Sequence, residues 1–309
     1  GELLVGTGHS RYTEQGDMEE LKAAQEYLAT LGSRHFGTTF DHVAPNYRRL
    51  LAEGISGTLE RVDAALAAHT DPQKRAFLQS VGEALEGLAA YFENWSDRLV
   101  EAADASMEYP ELLAEQSRIM AKLASETPST FWEAVQLVFI LHTVFQLDDR
   151  YAMALGRGDQ YLWPFLEADL AAGRVDMDFA QDLIDHFIAK LAHRGDIQNI
   201  AIGGTTREGE DAVNPVTFLL LEAVRRIQQP GGNLTARISP KNPDAFVEKC
   251  AEVIATGAGF PAVYNDDIGI KGLVQQGFPL EDARDFCFVG CIESHIQGKH
   301  APWSDGRFS

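Results

Sequence analysis

The chain has 309 residues, 45% hydrophobic and 23% charged, the mix of a globular protein with a large core rather than of a disordered polyelectrolyte. Its 46 acidic residues against 26 basic ones give a formal charge of -20. That charge repels phosphate, so nucleic acid and anionic membrane surfaces are not expected as partners.

No basic segment followed by an apolar run appears in Gly1 to Ser10, so no secretory signal is read there. The three cysteines, Cys250, Cys287 and Cys291, are an odd, sparse set unlike a disulfide framework, and a reducing cytoplasm is the expected compartment.

From about Met18 to Ile119 apolar residues return at three- and four-residue steps, as in Leu21, Ala24, Tyr27, Leu28 and Leu31, which predicts a layer of helices. Within it, Ala76 to Ala103 aligns Phe77, Val81, Leu85, Leu88 and Tyr91 on one face. Thr130 followed three residues later by Glu133 has the reciprocal pattern of a helix start. The helix that follows, Phe131 to Leu147, is the most apolar stretch, yet Glu133, Gln136, His142 and Gln146 interrupt it and it is shorter than the ~20 apolar residues of a bilayer span. It reads as a buried helix, with His142 a hydrogen-bonded core residue rather than a metal ligand.

After Asp148 short apolar runs alternate with helical ones. Strands are predicted at Asn199 to Ile202, Leu234 to Ile238, Ala262 to Tyr264 and Phe286 to Val289. Helices are predicted near Asn214 to Ile227, Pro243 to Thr256 and Ile268 to Gln275. This alternation predicts an α/β fold, a parallel sheet or part of a barrel, with chemistry at the strand ends. Residues 1–129 are expected to form the helical part and residues 130–309 a first half-barrel.

The last strand runs into Gly290-Cys291-Ile292-Glu293. Two-residue spacing in extended chain puts a thiol and a carboxylate on one side, suited to radical or nucleophilic chemistry at sulfur with proton transfer at oxygen. A buried, inert Cys291 is the plain alternative. A zinc site built from Cys287, Cys291 and His295, with or without His300, is a second, which would make the protein a metal-binding or interaction module. Gly156 to Tyr161 has the composition of a phosphate-cradling loop but lacks the third glycine, and is read as a turn tied by Arg157. Asn265-Asp266-Asp267 is read as a helix cap in preference to a cation site.

Several segments, in order, resemble the glycyl radical enzymes of the pyruvate formate-lyase and glycerol dehydratase type. They are Gly1 to Gly6 (GELLVG), His42 to Tyr47 (HVAPNY), Thr127 to Leu141, Gly156 to Pro164 (GRGDQYLWP), Asn199 to Arg207 (NIAIGGTTR), Asn265-Asp266-Asp267 and Gly290 to Phe308. The resemblance implies a helical layer plus roughly half of a ten-stranded α/β barrel around a dry cavity. Cys291 is then the thiol that becomes a thiyl radical, Glu293 the general base, and Asp305 a second polar contact. Position 290 is glycine, which argues against pyruvate formate-lyase activity itself, since that uses two adjacent cysteines. Tyr151 stands where several diol dehydratases have histidine, and His295 follows where proline is common. The resemblance therefore implies a differently lined cavity and another substrate, as for a decarboxylase or a C–C, C–N or C–S lyase, with Tyr151 near it and His295 either in contact with it or in a supporting or surface position.

The same resemblance implies a small-molecule substrate and a glycyl radical installed by an iron-sulfur, S-adenosylmethionine-dependent activating enzyme. No Arg-Val-x-Gly-Tyr segment is present, so the chain is expected to be a fragment or one piece of a split enzyme. It would be inactive without its carboxyl-terminal half or a complementary subunit, and a homodimer at full length.

Overall fold

The computed structural model describes residues 1–6, 42–106, 108–147, 152–193, 196–229 and 232–302, with a few isolated positions between 22 and 30. Most of the Leu21 to Leu31 pattern lies outside these residues.

Three helices begin the described part: α1 (Tyr47–Ala68), α2 (Pro72–Ala105) and α3 (Pro110–Ser125). Asn46 and Asp71 cap the first two by accepting the amides of Arg49 and Lys74. Each cap satisfies a backbone donor that helix geometry leaves unpaired. The face of α2 that meets the core is Leu88, Phe92, Ser96 and Leu99, joined to α3 through the buried Ser96–Ser117 hydroxyl pair at 2.9 Å. The expected apolar face therefore slips: Phe77 is 68% exposed, because burial along α2 sets in only at its middle.

The long apolar helix forms as α4 (Phe131–Leu147). Thr130 Oγ1 accepts the Glu133 amide, and the Glu133 carboxylate accepts the Thr130 amide, both at 3.2 Å. His142 is fully buried and bonded to the Tyr47 hydroxyl, Gln146 and Gln198, the core role its sequence setting predicts.

Two more helices, α5 (Gly158–Ala171) and α6 (Met177–Ala192), lead into the sheet. Strands β1 (Asn199–Gly203), β2 (Asn233–Ile238) and β3 (Ala262–Asn265) pair in parallel in sequence order. Helices α7 (Pro215–Ile227) and α8 (Asp244–Ala255) make the two crossovers. Every residue of β1 is buried, as expected of a parallel strand covered on both faces. After β3 come α9 (Asp266–Gln275), the short α10 (Leu280–Arg284), and an antiparallel hairpin of β4 (Phe286–Val289) with β5 (Glu293–Ile296). The predicted strands all form, within one residue of the expected limits at each end. The return strand β5 has no counterpart among the expected strands, the last of which ends at Val289.

Candidate functional site

The hairpin carries the thiol and the carboxylate. Its register places Cys287 opposite His295 and Val289 opposite Glu293, leaving Gly290, Cys291 and Ile292 as the tip. Gly290 has φ +52°, a left-handed conformation that glycine adopts without cost. A side chain there would collide with the His42 ring and come within 2.6 Å of the Glu293 carboxylate. Cys291 is exposed, whereas Cys250 and Cys287 are buried. Glu293 accepts the Ile292 amide at 3.0 Å, and its other oxygen lies 3.9 Å from Nε2 of the buried His42. His42 is itself held at φ +55°, unusual for a residue with a side chain. A cleft of about 620 Å³ opens beside the carboxylate, lined by Ile268, Gly269, Phe278, Ile292, Ser294 and His300.

Two packing faces hold the hairpin. On one, Cys287 and Val289 meet Ala44, Ala154 and Ala201, all buried. Three alanines let backbone approach backbone closely, which larger side chains would prevent. His295 lies on this face by register, fully buried, with Nε2 accepting the Ala44 amide at 3.4 Å. Burial, then the neighbouring His300, push its pKa down to about 4. Gly298 N donates to Ala44 O, and Gln297 Nε2 donates to Pro45 O, so the HVAPNY segment forms a seat for β5. On the opposite face, Phe286 and Phe288 pack with Leu273 and Ala283, and the Tyr264 ring of β3 lies 4.2 Å from that of Phe288.

Two fully buried arginines fix the base. Arg157 donates to the carbonyls of Gly203, Thr205 and Arg284. Arg237 donates to those of Arg284 and Phe286 and pairs with Asp266 at 2.6 Å. The Gly156 to Tyr161 turn is thus a structural clamp in which arginine binds backbone. Asn265 caps α9 by accepting the Ile268 amide, while Asp266 is consumed by Arg237. Arg237 lies in none of the motifs singled out in the sequence, and His42 opens the HVAPNY segment with no role assigned to it; the partners of both are distant along the chain.

The expected site residues separate accordingly. Cys291 and Glu293 share the tip, but Cys291 sits in the turn rather than in extended chain, so the tight turn, not strand alternation, brings them together. His295 lies beneath the tip. Tyr151 and Asp305 fall outside the described residues. The enclosed, dry cavity is not formed by the described residues, since Cys291 is open to solvent. The zinc alternative also fails: among the described residues no three histidine, cysteine or acidic side chains form a group able to hold a metal ion. Cys287 and His295 do face one another in register, but Cys291 stands apart from them at the exposed tip. Among the described residues no helix is long and apolar enough to cross a membrane.

Comparison with known proteins gives the family and the fold. A family model described as pyruvate formate lyase-like matches residues 7–309. The chain is 30% identical over 292 residues to a (2S)-3-sulfopropanediol dehydratase of Klebsiella oxytoca, covering 86% of this chain and 35% of that protein. It is 27% identical over 292 residues to an isethionate sulfite-lyase of Nitratidesulfovibrio vulgaris, covering 85% of this chain and 35% of that one. The glycerol-bound B12-independent glycerol dehydratase of Clostridium butyricum superimposes with a TM-score of 0.82 at 29% identity, over 93% of this chain and 42% of that structure. The chain thus spans about a third of the length of the curated relatives it matches.

Proposed function

The chain belongs to the pyruvate formate lyase-like family, and from that membership we propose that it is the thiol-bearing portion of a glycyl radical lyase or dehydratase. Its α/β sheet and helices are part of the barrel seen in glycyl radical enzymes. One observation carries the reading: the chain's exposed cysteine, Cys291, stands at a hairpin tip whose next acidic residue, Glu293, is pinned beside it.

In this reading a glycyl radical, generated by a separate activating enzyme, would supply the hydrogen-atom acceptor, and Cys291 would be the residue of this chain that hands it a hydrogen atom. The sulfur, left as a thiyl radical, takes a hydrogen atom from a substrate C–H bond and becomes a thiol again. The Glu293 carboxylate accepts the proton of an adjacent hydroxyl, which eases departure of the leaving group with its electron pair. The product radical then recovers a hydrogen atom from Cys291, so no net oxidant is consumed. An exposed sulfur fits a partner group brought from elsewhere, and closure over the tip would exclude water from the radical steps. Tyr151 and Asp305 are the proposed substrate contacts, while His295 fastens the hairpin from below. A small-molecule substrate, a homodimer at full length, a carboxyl-terminal half or complementary subunit, and a reducing cytoplasm complete the proposal.

The test uses the full-length protein, treated anaerobically with its activating enzyme. The expected result is a glycyl radical by electron paramagnetic resonance in the parent, Cys291→Ser and Glu293→Gln proteins alike. Cys291→Ser loses turnover, and Glu293→Gln loses roughly 10²–10⁴-fold in kcat. Turnover by Cys291→Ser at the parent rate overturns the reading.

A further inference from the structure

We propose that His42 is the specificity-determining residue of the tip: its ring occupies the space into which a side chain at position 290 would project, so that the tip presents a single sulfur. Three observations converge. A Cβ built on Gly290 meets the His42 ring before any other atom. His42 is 7% exposed, enclosed enough that the ring has little freedom to step aside. Its backbone sits at φ +55°, a conformation that disfavours a residue with a Cβ and persists only where the surroundings impose it. That conformation brings the ring over Gly290 and to 3.9 Å from Glu293.

The consequence is an interlock between two positions 248 residues apart (290 less 42). Glycine at 290 admits the imidazole, and the imidazole admits only glycine. The tip chemistry is thereby limited to one thiol and one carboxylate, because no second functional side chain fits between Val289 and Cys291. The functional weight of this interlock rests on the reading of Cys291 as the reactive thiol, but the interlock is measured without turnover.

A double-mutant cycle on the present chain tests it. Gly290→Ala adds both a collision and left-handed strain, and the strain is common to both backgrounds, so the cycle cancels it. In the parent, Gly290→Ala should lower the melting temperature by roughly 5 °C and change the alkylation rate of Cys291 at least about threefold. With His42→Gly, which suits the positive φ, the same substitution should shift the melting temperature by less than half as much and leave the rate unchanged. If Gly290→Ala alone does not fold, His42→Gly should restore folding. Equal shifts in the two backgrounds, failure of the double variant to fold, or relief by Glu293→Ala but not by His42→Gly would each overturn the proposal. None of these outcomes depends on radical chemistry, so they are separate from the failure of Cys291→Ser to lose turnover.

Discussion

Arg157 and Arg237 converge on one carbonyl oxygen, that of Arg284, at 3.2 and 2.7 Å. The residue they grip lies two positions before β4, so two guanidinium groups from different elements set where the hairpin leaves the sheet. Arg237 also stacks over the Phe286 ring at 4.0 Å. A fixed base is what a short hairpin needs in order to hold its tip at a defined place.

Removing one of these cations should be severe. Arg237→Met leaves Asp266 buried without its cation, strips the Phe286 carbonyl of its donor and leaves the Arg284 carbonyl to Arg157 alone, at a cost of about 3–5 kcal/mol. Chemical denaturation of the two proteins measures this, and a loss below about 1 kcal/mol would show that the pair is not structural.

The alanine seat should reject bulk. Ala201 is buried beneath Cys287 and Val289, and Ala201→Leu overpacks the contact, costing about 1–3 kcal/mol. The hairpin should lift from β1, and Cys287 should become open to alkylation in the native state. An unchanged Cys287 would show that the hairpin does not depend on that contact.

His295 gives a signed pH dependence. Its folded pKa is depressed to about 4 by burial and by His300, so below the ordinary histidine value near 6.5 the unfolded chain binds a proton that the folded chain refuses. Stability should therefore fall as the pH drops from about 6.5 to 4, by about 2–3 kcal/mol from this residue. His295→Gln should flatten the melting curve across that window. The comparison with the parent separates this from carboxylates such as Glu222, which titrates at lower pH. Parallel curves for the two proteins would count against the assignment.

Thiol counting distinguishes the cysteines. Burial raises the Cys250 and Cys287 thiols to about 12, and both are enclosed. Native protein should react rapidly with one equivalent of a thiol reagent, lost in Cys291→Ser, with two more exposed only on denaturation. Two fast equivalents in the parent would contradict the burial of Cys287.

The amino-acid sequence alone suffices for the local grammar: the reciprocal cap at Thr130 and Glu133, the apolar helix after it, the three strands of the sheet, and the nearness of Cys291 to Glu293. These follow from short-range rules, since caps, turns and periodicity involve residues within one or two turns of each other. The ordered resemblance of distant segments added the family. The folded chain alone shows that the residues after Gly290 turn back as β5, that Arg157 and Arg237 share the Arg284 carbonyl, and that His42 lies against Gly290. It also shows that His295 is enclosed while Cys291 is open. Those contacts join residues far apart in the chain, and a side chain's packing partner has no signature in its own neighbourhood.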